Sequence, residues 1–513
     1  MTNIKAGTHI LNDANLGNAP GWLNCQMEST KEILERDLAL AVQTSAKAFE
    51  QRVSTINTLR NSSSDLDPEF ERLAVLERST LEFFKPSTQE ADSLKDDSLA
   101  QLSFTHEEFR CLNHVPFVLL AIAIFKIWVV PAINVLFPLI AWIMPYILLR
   151  FVYALPITQD QYMGIIRTMW SGEIMNPEAI FGGGVPMQSL LTPKSIAQGV
   201  FFAVSFGQSM IQPIQNAMHL YKTDGVFLKM GRDILEIRNA IRRLKALDVP
   251  LSPALEDLDD DPRRAFVLIR EQPERLRVAL RSLARLEILW RMSQETRLQP
   301  VVFQDGPLAL RDVIDISLPD GVPSSIELSG TTTHAVITGP NGGGKSSFMR
   351  AVLQAVLFGH SYGYAPGGAQ MPRFKWIASG LQLRDSPGRL SMFETEVKFA
   401  ATALAAGHGP GLVLFDELFH STNAPDGERT ATLFLKALWS RANVFSIVST
   451  HLFKLIEEAP ETVKAVCCQA SESPDGGITY SYRVEPGICR VSSVKTVWER
   501  FGLAAATPRV AKS

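Results

Sequence analysis

The sequence predicts an α/β P-loop domain at its C-terminal end. Mainly α-helical, lever-like segments and one hydrophobic segment of transmembrane type precede that domain. Three observations carry the prediction. Residues 335–347 read as apolar strand, glycine-rich loop and helix start. Residues 412–417 read as an apolar strand ending in two carboxylates. Residues 127–149 run for 23 positions without a charged side chain.

The first stretch is the most specific. A β-branched run ends in Gly339-Pro340-Asn341-Gly342-Gly343-Gly344, followed by Lys345-Ser346-Ser347. Apolar residues at helical spacing come next (Phe348, Met349, Val352, Leu353, Val356, Leu357). The glycines let backbone N–H groups converge on phosphate oxygens, and the helix N-terminus adds partial positive charge. Lys345 is expected to reach the β- and γ-phosphates of ATP, and the Ser346 hydroxyl to ligate Mg²⁺. In the second stretch Asp416 is expected to support Mg²⁺ through its water shell, and Glu417 to orient or deprotonate an attacking water. Residues 444–450 form another buried-type strand, which brings His451 to the same sheet edge as an expected γ-phosphate contact.

The 513 residues are enough for two to four domains, and a net charge of −3 selects no partner class. Five cysteines (Cys25, Cys111, Cys467, Cys468, Cys489) show no C-x-x-C pair and no histidine at ligand spacing. That pattern excludes a zinc or disulfide framework and fits a reducing compartment. The first 21 residues lack a basic region followed by an apolar one, so no cleaved signal peptide is expected.

Residues 1–114 are polar, with helical spacing over 30–60 and 68–84 separated by a serine-rich turn. The reading is a solvated helical hairpin or a partner-binding module. Residues 115–157 change character. The 23 uncharged positions span roughly 34 Å as a helix, against about 30 Å for a bilayer core. Trp128, Trp142, Tyr146 and Tyr153 are placed as interfacial anchors. Pro131, Pro138 and Pro145 recur every seven residues, a pattern better tolerated in lipid than in a soluble helix. Lys126 disfavours a span over 115–135, since a central lysine costs about 3 kcal/mol. A lipid bilayer is therefore an expected partner, with the C-terminal domain facing the cytosol. A buried hairpin is the alternative. One crossing separates the N-terminal region from the C-terminal domain; a hairpin or re-entrant pair keeps them together. Arg150 and Arg167 sit on the C-terminal flank, in line with the positive-inside tendency.

Residues 158–298 make a helical lever or core-like region. Residues 182–186 read as a turn, and 196–206 as an apolar segment too short and too polar to span. Arg232, Arg238, Arg242, Arg243 and Lys245 share one helix; Arg263, Arg264, Arg270, Arg275, Arg277, Arg281, Arg285 and Arg291 follow. These cations suit nucleic-acid phosphates, or else an ordinary solvated face with pairs such as Glu274 and Arg277. From 299 to 513 strands alternate with helices.

The region from about 300 to 505 resembles the ATPase domain of the MutS family of DNA mismatch-repair proteins, itself related to ABC-type ATPases. The resemblance rests on Gly339 to Ser347 with Met349-Arg350, on Ser391-Met392-Phe393-Glu394-Thr395-Glu396, and on Asp416-Glu417 with Thr422 and Asp426-Gly427. Ser449-Thr450-His451 and Tyr482-Arg483-Val484-Glu485-Pro486-Gly487 complete it. Residues 283–289 faintly resemble the end of the family's helical lever, and an L-S-G-G-Q signature is absent. The resemblance implies ATP sites shared across a homodimer. Asn341 would position the γ-phosphate, Ser391 would reach the opposite subunit's nucleotide, and levers would grip DNA. The departures are Met392 for threonine, the bulkier Phe419-His420-Ser421, no mismatch-probing F-x-E context, and little chain after residues 501–503 for the family's dimer-padding motif. The expectation is a membrane-associated ATPase dimer acting on DNA, with an ATP-driven switch acting on a protein as the alternative.

Overall fold

The computed structural model describes residues 8–62, 64–84, 100–115, 117–171, 193–383, 390–472, 478–493 and 497–498. The turn expected at 182–186 and the end of the chain at 501–503 lie outside them. The chain divides into two compact units. One comprises Met1–Glu77, Arg243–Ser252 and Leu280–Ser513; the other Arg78–Arg242 and Pro253–Ala279.

The first unit carries two sheets. The strands are β1 (Leu298–Phe303), β2 (Leu308–Val313), β3 (Ser324–Leu328), β4 (His334–Thr338), β5 (Tyr364–Pro366), β6 (Gly368–Met371), β7 (Trp376–Gly380), β8 (Gly411–Phe415), β9 (Val444–Ser449), β10 (Val463–Glu472) and β11 (Ile478–Pro486). One sheet runs β3-β2-β6-β1-β5 and the other β11-β10-β4-β9-β8-β7. In the second, β10, β4, β9, β8 and β7 are mutually parallel, and only β11 pairs antiparallel. Strands β4, β8 and β9 are buried at every position, the unbroken apolar type that a parallel sheet covered on both faces requires.

Helix Lys345–Tyr362 follows β4 and is buried along almost its whole length. Gln354 explains how a polar side chain sits there. It donates to Ala14 O and Asp315 Oδ1 (both 2.8 Å) and accepts from Ile316 N (2.9 Å).

The N-terminal segment is not the solvated module expected of residues 1–114, since residues up to 77 are built into the same unit as the C-terminal sheets. Asp13 is 3% exposed. It accepts from Ser379 Oγ (2.6 Å), Gln382 N (3.1 Å) and Leu381 N (3.2 Å). Arg52 pairs with Asp37 (2.6 Å), donates to Ser361 O (2.9 Å) and lies over the Tyr362 ring. Arg60 covers the Tyr364 ring, whose hydroxyl donates to Asn57 Oδ1 (2.6 Å). Glu287 accepts from Gln26 N, Met27 N and Thr30 Oγ1, at 2.5, 3.1 and 2.6 Å. Burial pushes the Asp13 and Glu287 carboxyls up, against these hydrogen bonds. The apolar periodicity of the segment serves this packing: Ile10, Leu34, Leu38, Ile56 and Phe70 have no measurable exposure, 0% each.

The second unit is helical. An unbroken helix runs from Val118 to Val152, with π-helical turns at Phe125–Val129 and Leu148–Val152 on either side of Val130–Ile147. Pro138 and Pro145 lie inside it. Its stretch Val118–Pro138 is long and apolar enough to cross a membrane, and only 17% of the window is buried, unlike a core helix. Helices Gln159–Ser171 and Pro193–Leu244 follow, the latter 52 residues long. Near its C-terminal end Gly231 passes so close to helix Pro262–Glu271 that a Cβ would lie 1.9 Å from Pro262 O. The 158–298 segment is thus divided between the units rather than forming one lever.

The arginine-rich stretch is largely compensated from within. Arg238 is 2% exposed and donates to Leu258 O (2.7 Å), Asp259 O (2.8 Å) and Asp260 Oδ1 (2.6 Å). Arg263 forks onto Asp224 at 3.1 and 2.7 Å. Arg264 pairs with Asp259, Arg275 with Asp257 and Arg277 with Glu274. In the first unit Arg243 meets Glu69 (2.7 Å) and Arg291 meets Asp67 (2.8 Å). The acidic turn at 256–261 folds back onto the cations that surround it in sequence.

Replacing Asp13 by alanine leaves three donors without a partner and should cost about 2–4 kcal/mol. Denaturant unfolding of the full chain checks this. An unchanged midpoint would mean that the N-terminal segment adds nothing to the C-terminal unit.

Candidate functional site

Strands β4, β9 and β8 are neighbours, so their carboxyl ends place the three sequence motifs side by side. The chain leaves β4 through Gly339 at φ +141°, where a Cβ would sit 2.9 Å from Cys468 O. Gly342 (+81°) and Gly344 (+101°) hold the left-handed backbone that wraps the loop into the helix N-terminus. Gly343 N donates to Pro340 O (3.0 Å). Lys345 is 5% exposed, and its Nζ donates to Gly339 O (2.8 Å), Pro340 O (3.3 Å) and Asn341 Oδ1 (3.3 Å). Burial lowers its pKa, against the pull of Glu417 and Asp416.

The Asp416 carboxylate ties the edge together. Oδ2 accepts from Ser346 Oγ at 2.5 Å, and Oδ1 accepts from Ser449 Oγ at the end of β9. Ser449 Oγ in turn accepts the Glu417 N–H (2.7 Å). Glu417 takes a left-handed backbone, φ +51°, which costs a non-glycine residue about 1–3 kcal/mol. His451 Nε2 stands 3.8 Å from Glu417 Oε1. His451, with a smaller contribution from Lys345, holds the Glu417 carboxyl below its usual range in spite of burial.

The glycine-rich loop and Glu417 open onto a cavity of about 450 Å³, within the size range of small-molecule sites. Pro340, Asn341, Gly342, Gly344, Lys345, Ser346, Ser347 and Glu417 line it. Val313, Asp315, Leu318, Val322 and Tyr482 complete the wall. The first four belong to β2 or the loop after it. Their spacing carried no motif, so nothing in the sequence singled them out. Tyr482 was legible only as part of a closing strand; it reaches the site because its ring comes within 3.5 Å of where a Gly344 Cβ would be. Ser449 carries no role in the sequence reading; the available signal was a serine at the carboxyl end of an otherwise apolar strand, which also holds Ser446.

Ser391 and His451 are not on the cavity wall. Ser391 caps helix Met392–Ala405 in a capping box with Glu394 and is exposed. His451 borders a smaller pocket on the other side of Glu417. Behind it Glu396, 1% exposed, takes a bond from Ser421 Oγ and faces His420 Nδ1 at 3.2 Å.

Ser346 and Asp416 offer two hard oxygen donors at one spot, which fits a small divalent cation. Among the described residues no cluster of three or more His, Cys, Asp or Glu converges. A cation here would draw its other ligands from phosphate and water, as Mg²⁺ commonly does.

Fold and site together define an α/β domain in which a glycine-rich strand–loop–helix and an acidic strand end share one edge of a mainly parallel sheet. Residues 335–507 match the family model of MutS domain V. That match covers about a third of the chain and makes residues 335–507 similar to MutS domain V. A DNA mismatch repair protein MutS of Natronomonas pharaonis is 27% identical, over 50% of this chain and 33% of the relative. That of Streptococcus sanguinis is 25% identical, over 64% and 40%. That of Thermus thermophilus is 27% identical, over 49% and 33%. The chain thus spans between a third and two-fifths of the length of these relatives.

Ser449→Ala removes the acceptor of the Glu417 N–H and a donor to Asp416, and should cost about 1–3 kcal/mol of unfolding free energy. Ser391→Ala, at an exposed cap, should cost about 1 kcal/mol or less. Chemical denaturation of both variants distinguishes a network hydroxyl from a surface one.

Proposed function

We propose that the chain is an ATPase of MutS type, which binds ATP with Mg²⁺ in the cavity at the glycine-rich loop and hydrolyses it. The observation that carries this is the shared Asp416 carboxylate, which fixes Ser346, Ser449 and the Glu417 backbone around one point at the mouth of that loop. In this reading backbone N–H groups from Gly342 to Ser347 cradle the β- and γ-phosphates, and the helix N-terminus adds partial positive charge. Lys345 turns from its carbonyl partners to the phosphate oxygens, and Asn341 positions the γ-phosphate. Bound Mg²⁺, held by Ser346 and through water by Asp416, supplies neutralisation of the developing phosphate charge. Glu417, kept ionised by its neighbours, takes a proton from the attacking water. His451 orients that carboxylate and the terminal phosphate.

The exposed position of Ser391, away from its own subunit's cavity, supports a homodimer in which each copy lends this helix N-terminus to the other's nucleotide. Closure of such a dimer would couple hydrolysis to movement of the helical regions. DNA is the partner this reading favours, on the strength of the family match. The apolar helix at 118–152 supports attachment to a membrane, with the ATPase domain on the cytosolic side. A second reading, an ATP-driven switch acting on a protein, is favoured by one observation: many of the arginines that suited phosphates are paired with acidic neighbours.

Glu417→Gln should retain nucleotide binding and lose turnover by roughly 10²-fold or more, measured as steady-state phosphate release; an unchanged rate removes Glu417 as base. His451→Ala takes away the imidazole that depresses Glu417, so the carboxyl titrates higher. The acid limb of the pH–rate profile should then move toward neutral pH. A limb that stays put separates His451 from Glu417. Duplex DNA should stimulate turnover and bind with affinity that falls steeply with salt. Indifference to nucleic acid at low and high salt favours the protein-directed switch.

A further inference from the structure

The apolar helix does not stand alone in its unit. The N-terminal half of helix Pro193–Leu244 lies antiparallel beside it. Trp128 meets Tyr221 with ring centroids 6.4 Å apart, and Trp142 meets Phe206 at 5.9 Å. Fourteen residues up one helix thus correspond to fifteen down the other. Residues 195–221 contain no Asp, Glu, Lys or Arg, an uncharged run of 27 positions. At helical rise the runs 127–149 and 195–221 measure about 34 and 40 Å, each enough for a bilayer core.

The charges mark the same limits on both helices. Lys126 and Lys222 stand, exposed, at one end of the pair, next to Trp128 and Tyr221. Arg150, stacked on Tyr146, stands at the other end of the first helix, and Lys194 immediately precedes the second run. Between these limits both helices bare large apolar side chains. Phe137 and Ile143 are 67% and 55% exposed; Phe201 and Met218 are 75% and 58% exposed. Beyond the Lys126 and Lys222 end buried side chains recur on both helices, Leu119 and Ala123 on the first and Phe227 and Met230 on the second. Lys126, awkward for a span that starts at 115, falls at the margin of one that starts at 127.

The fold of the other unit sets the parity. Residues 8–77 are built into the same unit as 280–493 through Asp13, Arg52 and Glu287, so the chain must end on the side of the membrane where it began. An odd number of crossings is incompatible with those contacts. We propose that residues 127–149 and 195–221 form a two-helix transmembrane hairpin, with the segment between them on the far side and both ends on the side of the ATPase unit. The inference rests on the membrane attachment proposed above. It adds a second span, which hydropathy alone rejects because Gln208, Gln212, Gln215 and Asn216 interrupt it. These amides are uncharged and share one face of the helix, where a second copy of the hairpin supplies hydrogen-bond partners.

Sidedness decides the matter. Cys111 is an exposed natural thiol ahead of the hairpin. Asp160→Cys, in a Cys111→Ser background, places a thiol between the spans; Glu461→Cys, in the same background, places one in the ATPase unit. Both positions are exposed. The full-length chains are treated with a membrane-impermeant maleimide in sealed vesicles and in inverted ones. Cys111 and Glu461→Cys should label together, and Asp160→Cys should label only in the opposite preparation. Cys111 and Glu461→Cys on opposite sides would establish a single crossing and overturn the hairpin alone. All three on one side would overturn it in favour of a surface-bound pair. A chain recovered without membranes would overturn the attachment itself.

Discussion

Asp416 is the point on which the functional edge of the sheet depends. One carboxylate receives a hydroxyl from the start of helix Lys345–Tyr362 and another from the end of β9, while itself closing β8. Two strands and a helix are thereby tied together at the spot where phosphate chemistry would occur. The hydroxyl that completes this lock also holds the Glu417 backbone, so the proposed base inherits its position from the same carboxylate. The strained conformation of Glu417 persists because its surroundings over-determine it.

Helix Lys345–Tyr362 extends this order into the rest of the unit. Being buried along nearly its whole length, it needs partners that the sheet alone does not supply. The N-terminal segment provides them. Gln354 reaches the Ala14 carbonyl, and Arg52 binds the Ser361 carbonyl near the helix C-terminus. The helix that carries Lys345 at one end is therefore seated at its other end by residues some 300 positions away in sequence. The two ends of the chain hold a single unit, Met1–Glu77 with Leu280–Ser513.

Legibility in the sequence followed locality. The glycine loop, the acidic pair and the strand ending at Ser449 were readable because each is a contiguous pattern with its own periodicity. The wall formed by Val313, Leu318 and Val322 was not, since those residues meet the loop only through the fold of β2 and β3. The docking of residues 8–77 was invisible for the same reason: amphipathic spacing reveals a buried face but not what buries it. The arginines taught a related lesson. Composition showed their density, yet whether a guanidinium is available depends on whether a backbone turn such as 256–261 returns to meet it, and for Arg238 it does.

The long-range pairing of Asp13 with Ser379 has a consequence for biosynthesis. The segment emerges from the ribosome 366 residues before its partner, which at roughly 5–20 residues per second is a wait of about 20–70 s. Throughout that interval Ile10, Leu34, Ile56 and Phe70 lack the C-terminal part of the core they enter. The core of the first unit can therefore close only after the last parallel strands have been made, and a slow codon run beyond residue 280 would lengthen that delay.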